Sequence, residues 1–267
     1  MTDLSSCLCL VSYAMATVCS LTGVLARSER MKKTALLLCA GGLAFHTLWI
    51  ISAALSGTFG AASRGFYLLP LAWLPAAAIL ACSRRFRLEA ASHFAAPWSF
   101  FLCSIAAGFT GSQAAMPFAG SLFIVHVVTV FIGVGVMAIA AAAGTMFLLQ
   151  NRALKRKSPL PFSGKGLPSL ALLDKVNAIA TLIGFPCYSL GVLCGFLWSR
   201  LNWSTSGGDV KEWISVLILL IYAVLFHQRQ ALGWQGRKPA ILAVIIFTAS
   251  LFSMLVVNTV LPTQHGL

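Results

Sequence analysis

Residues 117–150 read Pro117-Phe-Ala-Gly-Ser-Leu-Phe-Ile-Val-His126-Val-Val-Thr-Val-Phe-Ile-Gly-Val-Gly-Val-Met-Ala-Ile-Ala-Ala-Ala-Ala-Gly-Thr-Met-Phe-Leu-Leu-Gln150. His126 is the sole ionisable side chain in this run. About 20 apolar residues suffice for a helix to cross hydrocarbon. At helical rise this run would reach ~50 Å, against ~30 Å of bilayer core. It ends on Asn151-Arg152-Ala-Leu-Lys155-Arg156-Lys157, a cluster of cations that cannot follow it into lipid. Such a segment is a membrane helix, and lipid leaves few alternatives, because every backbone polar group must be satisfied within the chain.

The rest of the sequence agrees. Of 267 residues, 59% are apolar and only 9% charged, with mean hydropathy +0.89. A soluble domain carries about 25% charged residues, so a soluble globular enzyme is excluded, as is disorder. The apolar runs do not alternate with period two, which argues against a transmembrane barrel. The reading is an all-α, polytopic helical bundle, one transmembrane domain over 1–267. Eight spans are expected, near 4–25, 34–55, 66–82, 93–109, 117–150, 170–198, 213–230 and 240–261. Pro70 and Pro75 fall in the short third span.

The net charge of +13 would suggest nucleic acid in a soluble protein. Here it records orientation. The odd-numbered loops hold 16 of the 19 Lys and Arg residues and the even-numbered loops 3. Cytoplasmic loops carry the excess, so both termini are expected outside, and no nucleic-acid partner is expected. Met1–Ser6 has no positive charge, so the first span is expected to be an uncleaved helix rather than a signal peptide. The basic loop from Arg152 to Lys165 has two readings: a cytoplasmic stem that docks a partner, or a solvated loop after a tilted helix. No Cys-x-x-Cys occurs among the eight cysteines, so neither a redox pair nor a zinc site has sequence support. Most of them read as small hydrophobes, and a Cys7–Cys9 disulfide is conceivable.

Ionisable residues at membrane depth are costly and point to function. This chain places histidines there: His46, His126 and His227, with His265 just beyond the last span and His93 at a helix boundary. By helical rise, His46 lies ~18 Å from the inner edge, His126 ~13 Å from the outer edge, and His227 ~21 Å down from the outer edge. Neutral imidazole is a good axial ligand for haem iron. Trp49, Phe123, Gly133, Gly135 and Trp198 would suit a flat macrocycle. The alternative is that each histidine hydrogen-bonds across helices as structural glue. A solute transporter would need broken helices or inverted repeats, and only the Pro70/Pro75 segment hints at one.

Several motifs carry a resemblance. They are His126-Val-Val-Thr-Val-Phe-Ile-Gly-Val-Gly, Leu149-Gln150-Asn151-Arg152, Leu167-Pro168-Ser169-Leu170 and Gly184-Phe185-Pro186. Gly191-Val-Leu-Cys-Gly195, Asp209-Val-Lys-Glu-Trp213, Tyr222, Phe226-His227-Gln-Arg229 and Gly233-Trp-Gln-Gly-Arg237 follow. In this order they resemble the cytochrome c assembly membrane family of CcsA, CcmC and HemX. Ala44-Phe-His46-Thr47 and the eight spans look most like the HemX-type branch.

The resemblance implies a haem-handling protein of the bacterial cytoplasmic membrane, not an enzyme, binding one or two non-covalent haem b groups. It implies His126 and His265 as outer iron ligands and His227 as a membrane ligand, with His46 a further candidate. The tryptophan-rich loop of haem-presenting members is reduced here to Trp198, Trp203, Asp209, Lys211 and Glu212. That departure favours the HemX-type role, in which the protein moves haem or influences haem synthesis through glutamyl-tRNA reductase. Expected partners are that enzyme or another cytochrome c assembly subunit. Haem propionates want cations, which suggests Arg200 or Lys211 outside and Arg229 inside; Arg229 also has a simpler reading as part of the orientation signal. The alternative function is a membrane regulator that docks a soluble partner through the basic loop without transferring haem.

Overall fold

The computed structural model describes residues 2–26, 28–56, 68–86, 92–108, 121–158, 168–202 and 210–257. Among them are eight α-helices and no strand: α1 Thr2–Leu25, α2 Glu29–Ser56, α3 Leu68–Phe86, α4 Ser92–Gly108, α5 Ser121–Lys155, α6 Leu170–Asn202, α7 Val210–Gln230 and α8 Arg237–Phe252. A π-helical turn, Ser253–Val257, extends α8. Six of these, all but α3 and α4, are long and apolar enough to cross a membrane. The apolar parts of α3 and α4, Leu68–Ala81 and Phe94–Gly108, are shorter. The chain is a polytopic helical membrane protein.

Several helices outrun the apolar spans. α2 starts at Glu29 rather than near Thr34, α3 runs to Phe86, and α5 continues to Lys155. Hydropathy marks where hydrocarbon ends, whereas hydrogen bonding continues into the polar headgroup region. α5 stops where Lys157 adopts a left-handed φ of 51°. α6 starts where the Ser169 hydroxyl accepts the Leu172 N–H at 3.1 Å, an N-cap. Pro70 lies in the first turn of α3, where a missing N–H costs nothing. Pro75, Pro97 and Pro186 lie inside α3, α4 and α6.

The sequence reading takes 1–267 as one domain; Cα packing divides it into two compact units. The first comprises Met1–Met116 with Leu149–Leu172, the second Pro117–Leu148 with Leu173–Leu267.

In the first unit, α1 packs along α2 and against α4, and α3 packs on α4 and α2. α1 shows how. Leu4, Leu8, Val11, Met15, Val18 and Leu25 are exposed, while Cys9, Tyr13, Ala16 and Ser20 are buried. Both stripes follow helical spacing, and the outward one is the more apolar. That inverts a water-soluble helix and suits lipid. Small residues bring the helices together, and Gly42 lies flat against Tyr13, whose ring a Cβ would meet at 2.8 Å. Polar ties finish the packing: Trp73 Nε1–H donates to Thr47 Oγ1 at 2.8 Å and Ser99 Oγ to the Ala72 carbonyl at 3.3 Å.

In the second unit, α5 and α6 meet along glycines, and α7 packs on α8. A Cβ on Gly191 would reach Val130 Cγ2 at 2.5 Å, and one on Gly133 would reach the Tyr188 backbone N at 2.9 Å. Such small-residue contacts let membrane helices approach closely where no hydrophobic effect drives them together. Asn177 Nδ2 donates to the Ala140 carbonyl of α5 at 2.8 Å.

Candidate haem site

His126 lies in the second turn of α5, half-buried, facing α6. Its Nδ1 is 2.7 Å from the carbonyl oxygen of Gly191. A carbonyl only accepts, so Nδ1 carries the proton and donates. That fixes the tautomer and leaves Nε2 as the nitrogen with the lone pair, the arrangement that prepares a histidine for metal ligation. The same stretch of α6 supplies the space. A Cβ on Gly195 would stand 2.6 Å from His126 Cε1 and Nδ1. The pair Gly191 and Gly195 thus does two jobs, one carbonyl orienting the ring and one missing side chain admitting it.

Aromatic residues continue the site. Phe123 lies one turn before His126, ring centroids 6.5 Å apart, and stacks obliquely on Trp198 at 4.9 Å. Trp198 is buried. Just beyond it, Ser199 Oγ donates to Glu212 Oε1 at 2.7 Å, and Arg200 lies 3.9 Å from Glu212 Oε2. The Arg200 side chain is 53% exposed. The Glu212 side chain is 12% exposed, but at 3.9 Å and with Arg200 half in solvent the contact is long and screened on the cation's side. Lys211 is the second residue of α7, and its side chain lies outside the described residues. Trp203 and His265 lie outside the described residues.

The donor set at His126 fits haem: a half-buried imidazole with an oriented tautomer, aromatic neighbours, and a half-exposed cation at the same helix end. The site expected at His46 does not. His46 is fully buried, with 0% exposure. Tyr13 meets it edge-on at 5.9 Å and Trp49 tilts over it at 6.2 Å. The Cys103 sulfur stands 3.6 Å from Nε2 and 3.8 Å from Nδ1. A porphyrin needs an open approach along a ring nitrogen, and both nitrogens face side chains here.

His227 lies on an exposed face of α7, and its carbonyl accepts the Ala231 N–H at 2.8 Å. Arg229, expected to meet a propionate on the inner side, already has a carboxylate. Its side chain is 4% exposed, with Nη2 3.0 Å from Asp174 Oδ1. It also donates to Asn177 Oδ1 at 2.6 Å and to the Trp234 carbonyl at 3.3 Å. Asp174 in turn accepts the Gly236 N–H at 2.8 Å. Gly236 has a φ of 78°, which a side chain would strain, so the glycine lets the α7–α8 turn aim this N–H at the carboxylate. The Gly233–Arg237 motif is thereby explained as a turn anchored on α6.

Comparison with known proteins places the chain in a family. The cytochrome C assembly protein family matches residues 35–265. The cytochrome c biogenesis protein CcsA of Chlamydomonas reinhardtii is 28% identical over 142 residues, 53% of this chain and 39% of that protein. CcsA of Synechocystis sp. is 37% identical over 95 residues, 35% of this chain and 28% of that protein. CcsA of Nostoc punctiforme is 33% identical over 107 residues, 40% and 30% of the respective chains. The matches therefore span well under half of these relatives' length. No solved structure matches. A family match that takes in α5 to α8 and the helix-end cluster around Trp198 and Glu212 covers most of the sequence, and the chain belongs to the cytochrome c assembly protein family.

Proposed function

We propose that the chain binds haem non-covalently in the membrane for cytochrome c assembly, and that His126 would hold the iron through Nε2. The observation that carries this is the 2.7 Å bond from His126 Nδ1 to the Gly191 carbonyl, which readies Nε2 for iron. Haem, once bound, supplies a redox-active iron. The protein orients the imidazole through Gly191, Phe123 and Trp198 would line the bound group, and Arg200, with Lys211 nearby in sequence on α7, would meet its propionates. Its role is to hold and hand on haem rather than to catalyse a reaction. The 16-to-3 distribution of cations supports a cytoplasmic-membrane orientation with both termini outside and this site near the outer face. One haem per chain is expected at His126.

The test is an absorption spectrum of protein purified from haem-replete cells, with pyridine-haemochrome stoichiometry. A Soret band with sharp reduced α and β bands is expected, and a colourless protein would end the proposal. The charged residues give a graded check. Arg200→Gln combined with Lys211→Gln should remove charge-assisted contacts of about 1.5–3 kcal/mol, or roughly ten- to a hundredfold in haem affinity. Unchanged affinity would remove the propionates from this end of α6.

A second reading rests on a different observation. Arg152, Lys155, Arg156 and Lys157 are all exposed at the end of α5. This basic cluster favours docking of a soluble cytoplasmic partner, as a HemX-type regulator of glutamyl-tRNA reductase would require.

A further inference from the structure

Cys9 of α1, His46 of α2 and Cys103 of α4 converge in the core of the first unit, each 0% exposed. One donor atom from each lies within 4.8 Å of the others. Packing as small apolar groups accounts for buried cysteines, but not for two thiols and an imidazole turned to one point. Three such donors within 4.8 Å of one another can form a ligand set. Zinc bonds of about 2.3 Å to sulfur and about 2.0 Å to nitrogen put neighbouring donors of a tetrahedron roughly 3.5 Å apart. The edge from Cys103 Sγ to His46 Nε2 is already 3.6 Å. The other edges need to close by about an ångström at most to reach such a tetrahedron, and the imidazole must turn on entry of the ion, because the same sulfur also lies 3.8 Å from Nδ1. Metal-bound histidines use their second nitrogen to engage an outer partner. Here the Tyr13 hydroxyl lies 3.4 Å from Nδ1, and Tyr13 is itself fully buried.

Charge selects the ion. A net charge enclosed at membrane depth is costly. Two thiolates and a neutral imidazole carry two negative charges. They balance a divalent soft ion and leave a monovalent one over-compensated. We propose that Cys9, His46 and Cys103 bind one zinc ion, the two thiol protons leaving as it enters, and that this ion ties α1, α2 and α4 together. Three protein donors leave one coordination position to a non-protein ligand.

The full chain, purified in detergent without a polyhistidine tag, is assayed for metals. About one zinc per chain is expected in the wild type, and under a tenth of that in Cys9→Ser/Cys103→Ser. His126→Ala should keep its zinc, so failure of the haem reading and failure of this one are separable. Folded wild-type protein without zinc, with copper in its place, or with a Cys9–Cys103 disulfide by intact mass would overturn the proposal. Should the double variant not accumulate, the wild type gives the answer by alkylation. Modification of Cys9 and Cys103 should rise on adding a membrane-permeant zinc chelator, while exposed Cys7 reacts either way. Alkylation indifferent to the chelator would overturn the proposal.

Discussion

Haem content is expected to fall at least about tenfold in His126→Ala, and nearly as far in Gly195→Val, while His46→Ala keeps its Soret band. Each arm isolates one cause. Alanine at 126 removes the iron ligand itself. Valine at 195 leaves the ligand in place but puts side-chain carbon where a Cβ alone would stand 2.6 Å from the imidazole. The ring must then swing, breaking its bond to Gly191. Loss of such an orienting bond typically costs ten- to a hundredfold in metal affinity. The measurement is the haemochrome-to-protein ratio of each purified variant. Full haem occupancy in Gly195→Val would show that ring orientation by α6 is not what prepares His126. A colourless His46→Ala would return His46 to the haem site and displace the zinc reading.

The contrast between these two histidines shows what sequence makes legible. His126 stands in a long apolar run, and Gly191 and Gly195 stand four apart on the next long run. Depth, helical face and close approach can all be estimated from such local spacing. His46 looks identical by those criteria. What separates them is long-range: the sulfur against His46 comes from residue 103 and a second from residue 9, on helices whose pairing no spacing encodes. A search for Cys-x-x-Cys sees ligands one helical turn apart and cannot see ligands on three different helices. The spans were legible for a simpler reason, since lipid demands about 20 apolar residues wherever a helix crosses. Helix ends were less so, because α2, α3 and α5 continue past the apolar limit into charged residues that hydropathy reads as loop.

Arg229 carries the same lesson into energetics. As a cation on the loop-rich side it reads from sequence as an orientation signal or a propionate partner. Its carboxylate is Asp174, 55 residues earlier, and the pair is nearly enclosed. Removing one member of a buried pair leaves the other charged and unpaired, at a cost of about 3–5 kcal/mol. Asp174→Ala is therefore expected to lower the thermal midpoint in detergent more than any other single substitution outside the helix cores. It strips the Arg229 guanidinium of its counter-charge, leaving only neutral acceptors, and takes the carboxylate from the Gly236 N–H as well. Asp174→Leu combined with Arg229→Met should recover most of the loss, because an apolar pair of similar volume needs no charge compensation. Haem per folded chain should stay unchanged in both. If Arg229→Met instead lost haem while keeping its thermal midpoint, the guanidinium would be serving a propionate, and the α6-to-turn anchor would contribute little. The distinction follows from solvation. A side chain 4% exposed already holds its carboxylate in a poorly screened environment, and an incoming propionate would have to displace Asp174 and strand it.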